Sequence, residues 1–132
     1  MPLKLDLRPH EKLFLGGAVL VNGDSRCQLT VLNDVPVLRE KDILKDEDAN
    51  TPCKRIYLAV QMMYMDTPNL ARYHQFYWEH VRAVIEVAPS TTDLLAKVSN
   101  AVLEGHYYQA LKVARELVRY EQELVVNARK SA

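Results

Sequence analysis

Residues 37–66 read VLREKDILKDEDANTPCKRIYLAVQMMYMD, and this stretch decides the fold. It begins as a dense charged run and ends as the most apolar segment of the chain, with Thr51 and Pro52 between the two parts. A threonine hydroxyl accepts a hydrogen bond from the first helical turn, and proline at the first helical position loses none. We therefore predict that a helix begins at this dipeptide.

The predicted helix carries apolar side chains on most of its circumference. Ile56, Val60 and Met63 fall on one helical face, and further apolar residues cover much of the rest, namely Leu58, Met62 and Met65. A helix that is apolar nearly all round is usually buried. We therefore place it at the centre of the fold, between strands that precede it and amphipathic helices that follow it.

The segment before the charged run has strand patterns. Residues 3–8 alternate leucines with charged side chains, which is typical of a strand with one face on a core. Residues 35–38 form a last short strand that contains Pro36, and proline cannot donate to a strand ladder. We therefore expect this strand at the edge of a sheet.

A hairpin is predicted in the middle of this segment. Asn22 and Gly23 form a dipeptide that tolerates the two positive φ angles of a tight turn. Apolar strand patterns flank it at residues 18–21 and 26–32. These two strands are therefore predicted to pair with each other.

Together these patterns predict an α+β fold. A small N-terminal antiparallel β-sheet with its charged connector, residues 1–50, would pack on a C-terminal bundle of about four helices, residues 51–132. The seven tyrosines lie nearly all in predicted helices at core spacing, so most are expected to be packing residues.

The charge balance limits the function. The 132 residues include 17 basic and 17 acidic side chains, which gives a formal net charge of zero. Strong nonspecific nucleic-acid binding usually needs a basic domain or face, so any RNA contact requires a local patch. A neutral protein also associates with itself more readily, which permits a homo-oligomer.

Motifs of enzymes and metal sites are absent from the sequence. It has no glycine-rich phosphate loop, no serine elbow and no paired histidines at metal spacing. Cys27 and Cys53 match no zinc spacing. We expect no catalytic residue, metal or cofactor. Residues 58–65 are too short to span a bilayer, and the alternating N-terminus differs from a signal-peptide core, so we expect a cytoplasmic protein without a membrane partner.

Several motifs resemble one known family. VLREKDI, TP, RIY and QMMYMD, with MPLKLDLRPHEK and GAVLVNGDSR before them and GHYYQALKVARELVRYE after them, resemble the FlbT family of flagellin post-transcriptional regulators. The likeness covers nearly the whole chain in the expected order. It implies a non-enzymatic regulator of flagellum biogenesis that associates with the 5′ untranslated region of flagellin mRNA and affects its translation and degradation. The implied partner is the flagellin mRNA leader.

Basic residues within the matching motifs are our candidates for RNA contact, because cations neutralise phosphates. These six residues are Arg8, Lys12, Arg26, Arg39, Lys41 and Arg55. Acidic residues alternate with them, so an ordinary solvated face is the competing interpretation.

The second functional hypothesis is a protein-interaction module. In this interpretation the helical half binds flagellin or a flagellin-export chaperone and acts on mRNA only indirectly. The candidate surface is a basic row on the last helix, formed by Lys112, Arg115 and Arg119. Such a row suits a partner helix or another subunit.

Overall fold

The computed structural model describes residues 2–131 and has antiparallel strands followed by four α-helices, which confirms the α+β prediction. The strands are β1 (Leu3–Leu7), β2 (Lys12–Leu15), β3 (Ala18–Val21), β4 (Cys27–Val31) and β5 (Val37–Arg39). The helices are α1 (Pro52–Met65), α2 (Leu70–Val87), α3 (Thr92–Leu103) and α4 (Tyr107–Ser131).

The chain forms two compact units that divide between Ile43 and Leu44. The first, which we call the strand unit, contains all five strands, and the second, the helical unit, contains all four helices. The charged connector holds two short 3₁₀ turns, Glu40–Asp42 and Asp46–Asp48. The two-part domain division predicted at residue 50 stays a prediction.

The strands form two small sheets, whereas a single sheet was expected. Strand β1 pairs with β4, and the other three strands have the order β3-β2-β5. In the first pair, Leu5 lies opposite Leu29 and Leu7 lies opposite Cys27. Leu5, Leu7 and Leu13 form the buried cluster of this unit. The alternation predicted that Leu3, Leu5 and Leu7 face the core, which is correct for Leu5 and Leu7 and wrong for Leu3, which is 45% exposed at the start of β1.

The prediction of a hairpin turn at residues 22–23 is wrong, because β3 pairs with β2 and not with β4. The tight turn lies instead between β2 and β3, at Gly16 and Gly17, whose φ angles of 54° and 98° suit a hairpin of this twist. The Asn22 side-chain amide donates to the carbonyl of Arg8 at 2.8 Å. This bond holds the chain at the end of β3, and β4 continues to pair with the distant β1.

The strand order β3-β2-β5 places β3 and β5 at the two edges of the three-stranded sheet. Strand β5 lies at one edge as predicted, and the carbonyl of Pro36 just before it accepts from the Gly16 N–H at 2.9 Å. At the other edge, all four residues of β3 are exposed.

Helix α1 begins where the sequence predicts. The Thr51 hydroxyl accepts from the Lys54 N–H at 3.2 Å, as an N-cap does. Ile56, Val60 and Met63 are fully buried, and α2 and α4 both pack on this helix. Burying each such side chain stabilises the fold by about 2 kcal/mol. The prediction of a central helix is therefore confirmed within the helical unit.

A buried amide joins the charged connector to α1. The side chain of Gln61 is almost fully enclosed, yet its oxygen accepts from the Leu44 N–H at 2.8 Å and its nitrogen donates to the Leu44 carbonyl at 3.0 Å. Both polar ends of this buried group are thus satisfied, as buried amides require.

The remaining helices complete the bundle. Helices α3 and α4 form a helical hairpin whose turn contains Gly105 at a φ of 77°. Tyr77 of α2 is fully buried, and its hydroxyl lies 2.8 Å from the hydroxyl of Ser99 in α3. Ala110 and Leu117 of α4 are fully buried as well. The predicted bundle of four helices is therefore observed.

We predict that Gln61→Leu lowers the free energy of unfolding. The variant leaves the Leu44 N–H and carbonyl without their side-chain partner, which costs about 2 kcal/mol. Gln75→Leu on exposed α2 surface is the matched control and should change stability by less than about 0.5 kcal/mol. Urea denaturation measures both, and equal stabilities for the two variants would contradict the role of this amide.

Candidate functional site

A buried carboxylate organises the bend between β1 and β2. Glu11 is only 6% exposed, and it accepts from both Arg39 Nε at 3.2 Å and Arg39 Nη2 at 3.1 Å. It also accepts from the Arg8 N–H at 2.9 Å. Arg39 donates further to the carbonyl of Asp6. We call these four residues the Glu11 cluster, and it connects β5 of one sheet to β1 of the other.

The cluster changes the acidity of its members. Hydrogen bonds from Arg39 and then from the Arg8 backbone hold the pKa of Glu11 below its ordinary value. The same bond to Glu11 raises the pKa of Arg39. Both ions are therefore stabilised by each other. Arg39 is a candidate for RNA contact, but its guanidinium donates to Glu11 and to the Asp6 carbonyl within the strand unit.

The other candidates of the strand unit lie on its surface. The side chain of Arg8 is largely exposed, with its Nε 3.9 Å from the Glu11 carboxylate. Lys12, Arg26 and Lys41 are exposed too. The backbone N–H of Lys12 donates to the Glu40 carboxylate at 3.0 Å, which brings a negative charge beside this lysine.

Arg55, the last candidate, is an exposed residue of α1 in the helical unit. The structure thus brings Arg8 and Arg39 together around one carboxylate. Lys12 lies in β2, Arg26 lies just before β4, and Lys41 lies in the 3₁₀ turn whose Glu40 carboxylate accepts from the Lys12 N–H.

The composition of the strand unit limits the kinds of contact that it could make with RNA. Residues 1–43 contain six basic and six acidic residues, so this unit is neutral by itself. Its only Phe, Trp or Tyr is Phe14, which is 7% exposed. Its surface can therefore contact phosphates locally, but it presents no such ring on which an RNA base could stack.

Helix α4 carries a row of cations that begins at an exposed ring. Tyr108, Lys112, Arg115 and Arg119 follow one another at intervals of four, three and four residues, and we call them the α4 stripe. Lys112 Nζ lies 5.0 Å from the centroid of the Tyr108 ring. Tyr108 is 44% exposed, and its ring centroid is 5.5 Å from the ring centroid of Tyr64 in α1.

The tyrosines were predicted from their spacing to be mainly packing residues, and Tyr108 was not connected with the basic row. Tyr57 and Tyr77 are indeed buried, whereas Tyr108 is exposed. The helical interval between Tyr108 and Lys112 was the signal that could have found this arrangement.

An apolar groove is the second surface of the helical unit. It has a volume of about 380 Å³ and lies between α1, α2 and α4. Val87 is 86% exposed and Val125 is 44% exposed at this groove. Sequence reasoning missed it, although the apolar side of α4 continues past its fully buried part to Leu124 and Ala128.

Glu121 forms one wall of the groove and stabilises the start of α1. Its carboxylate accepts from the Thr51 hydroxyl at 2.5 Å and from the Cys53 N–H at 3.1 Å. A negative charge at a helix N-terminus is favourable because the first N–H groups point towards it. This contact fixes α4 against α1.

The thiol of Cys53 is also in this groove. Burial, followed by the nearby Glu121 carboxylate, raises the pKa of Cys53 to about 12. Because the thiolate is the nucleophilic form, this cysteine is protonated and inert at neutral pH. It acts as a packing residue.

Two kinds of feature are absent from the part of the chain that the structure describes. Within residues 2–131, no three His, Cys, Asp or Glu side chains group closely enough to hold a metal ion. Among the helices in the same range, none is both long and apolar enough to cross a membrane.

Comparison with known proteins identifies the class. Residues 3–125 match the family described as Flagellar protein FlbT. "Probable flagellum biosynthesis repressor protein FlbT" of Rhodopseudomonas palustris strain TIE-1 is 42% identical over 125 residues, which cover 95% of this chain and 98% of that protein. No solved structure matches. The chain therefore belongs to the FlbT family, as the resemblance predicted.

Two further relatives have similar names. "Probable flagellum biosynthesis repressor protein FlbT 1" of Bradyrhizobium diazoefficiens is 43% identical, over 94% of this chain and 85% of that protein. "Flagellum biosynthesis repressor protein FlbT" of Caulobacter vibrioides strain ATCC 19089 is 38% identical, over 93% of this chain and 89% of that protein. Each alignment spans nearly the whole chain.

We predict that Glu11→Gln removes an acid-sensitive part of the stability. The pKa of Glu11 is lowered in the folded state, so its contribution is present above the ordinary value of 4.5 and is lost as the pH falls through the folded value. At pH 7 the variant should lose about 2 kcal/mol, since a hydrogen-bonded ion pair becomes a neutral contact.

Denaturation at pH 7 and at about pH 3 measures this difference. The gap between wild type and Glu11→Gln should shrink in acid, because below the ordinary pKa of 4.5 the unfolded wild type binds a proton that the folded carboxylate resists. Asp34→Asn, at an exposed turn, is the matched control and should leave the pH dependence unchanged. A gap of equal size at both pH values would contradict this prediction.

Proposed function

We propose that this chain is a non-enzymatic regulator of flagellum synthesis that associates with the 5′ untranslated region of flagellin mRNA and affects its translation and degradation. The observation that carries this proposal is the family match over residues 3–125. Relatives that align along nearly their whole length bear the name flagellum biosynthesis repressor, which describes a regulatory role. The mRNA target comes from the resemblance of the motifs.

The exposed cations are compatible with a modest RNA affinity. Lys12, Arg26, Lys41 and Arg55 all have exposed side chains. Because each unit balances its basic and acidic residues, only a few phosphates would be neutralised at once. Selectivity for one leader must therefore come from contacts with unpaired bases as well as from charge.

We predict leader-selective binding that weakens with salt. For about three phosphate contacts on a single strand, affinity should fall roughly 20-fold between about 50 and 200 mM salt. The measurement is titration of the purified protein into a flagellin-mRNA leader and into an unrelated RNA of equal length. Equal affinity for both RNAs, or binding to neither, would overturn the RNA part of the proposal.

A test of the candidate RNA contacts in the strand unit needs a variant that still folds. Arg39→Glu would put a second carboxylate against buried Glu11, so loss of RNA binding in that variant would be ambiguous. Arg26→Glu with Lys41→Glu avoids this problem because both side chains are exposed.

The apolar groove favours a second candidate function, namely binding of an amphipathic helix of flagellin or of a flagellin-specific chaperone. Helices of this kind place an apolar face in a hydrophobic groove. The exposed valines of the groove would be covered in such a complex, and an apolar contact depends little on salt. In this case the chain would act on mRNA only through its protein partner.

We predict that Val125→Asp lowers affinity for flagellin at least about tenfold, because a charge would be buried at the interface. Val126→Asp is the matched control, since Val126 is 47% exposed but does not line this groove. Calorimetric titration with purified flagellin measures both. Equal losses for the neighbouring substitutions would exclude the groove as the docking site.

A further inference from the structure

The α4 stripe combines the two chemical groups that single-stranded RNA requires. Aromatic rings stack on unpaired bases, and cations beside them neutralise phosphates. Tyr108 supplies an exposed ring, and Lys112 and Arg119 supply exposed cations along the same side of the helix. We propose that this stripe is the site at which the chain binds single-stranded RNA, with Tyr108 as the stacking surface. The inference rests on the proposed RNA association and assigns it to the helical unit.

Helix geometry sets the length of the site. Residues three or four apart lie on one side of an α-helix, so the intervals within the α4 stripe keep its members in line. From Tyr108 to Arg119 the helix rises about 16 Å, which corresponds to about five phosphate spacings of one stacked strand. A short single-stranded segment could therefore stack one base on Tyr108 and place its phosphates at Lys112 and Arg119.

The ring is held in place before RNA arrives. Tyr64 of α1 packs beside Tyr108 with their planes inclined at 45°, and the Lys112 ammonium lies over the Tyr108 ring. A cation at 5.0 Å from the centroid is attracted by the ring electrons. A stacking base would replace this ammonium on the ring. The flexible lysine would then reach the phosphate next to that base.

The strand unit has no exposed Phe, Tyr or Trp ring beside its cations. Its only Phe, Trp or Tyr is buried Phe14, and Arg39 is bound to Glu11. The exposed cations there could add phosphate contacts without reading bases. Exposed Glu116 borders the α4 stripe and limits purely electrostatic binding. Bases in a duplex keep their faces covered, so the site should prefer single-stranded RNA.

The test compares stripe variants of the full chain in binding to the flagellin-mRNA leader. Tyr108→Ala should lower affinity about tenfold, because the stacking surface is lost. Tyr108→Phe should retain affinity, since the ring remains. Lys112→Glu with Arg119→Glu should weaken binding at least about tenfold and reduce its salt dependence.

Two controls accompany these variants. Lys97→Glu, on an exposed position of α3, reverses one charge outside the stripe. Arg26→Glu with Lys41→Glu reverses two charges of the strand unit. Lys97→Glu should keep the leader affinity, whereas the strand-unit variant should lose less affinity than the stripe variants because it removes phosphate contacts only. Thermal unfolding should show that every variant remains folded.

The outcomes of this test distinguish the proposed RNA function from the proposed RNA site on α4. If wild type binds the leader selectively and the stripe variants bind equally well, the site assignment is wrong while the RNA function stands. Loss of binding in Arg26→Glu with Lys41→Glu alone would move the site to the strand unit. If wild type binds no RNA, both proposals fail. Equal loss for Tyr108→Phe and Tyr108→Ala would also overturn the stacking role.

Discussion

The burial of α1 is the constraint on which the helical unit depends. A helix that is apolar nearly all round is stable in water only when other helices cover it, and α2 and α4 do so here. Glu121 of α4 then holds the first turn of α1 through Thr51 and Cys53. These contacts fix α4, and they place Tyr108 beside Tyr64 at the other end of the pair.

The strand unit is organised by a charge pair and by a small group of leucines. Its two sheets are short, and Arg39 connects them through Glu11 and the Asp6 carbonyl. A buried carboxylate needs such partners because desolvation penalises its charge. The consequence for function is that an arginine which looks available in the sequence has a structural role. Charge alone is therefore a poor guide to which cations of this unit are free to bind a ligand.

Helix α4 carries both candidate surfaces of the helical unit on different sides. The α4 stripe faces solvent beside α1, whereas Leu124, Val125 and Ala128 line the apolar groove. RNA and a protein partner would therefore use different side chains of the same helix.

The sequence by itself determined the α+β class, the start of α1 at Thr51 and the apolar helix face that contains Ile56, because caps and apolar periodicity depend on neighbours within a few residues. Family membership was also readable from the motifs. Tertiary structure alone decided that β4 pairs with β1, that Arg39 binds Glu11 and that Tyr108 is exposed. The physical reason is distance along the chain. Strand partners, ion-pair partners and covering helices lie tens of residues away, so local patterns do not specify which groups meet.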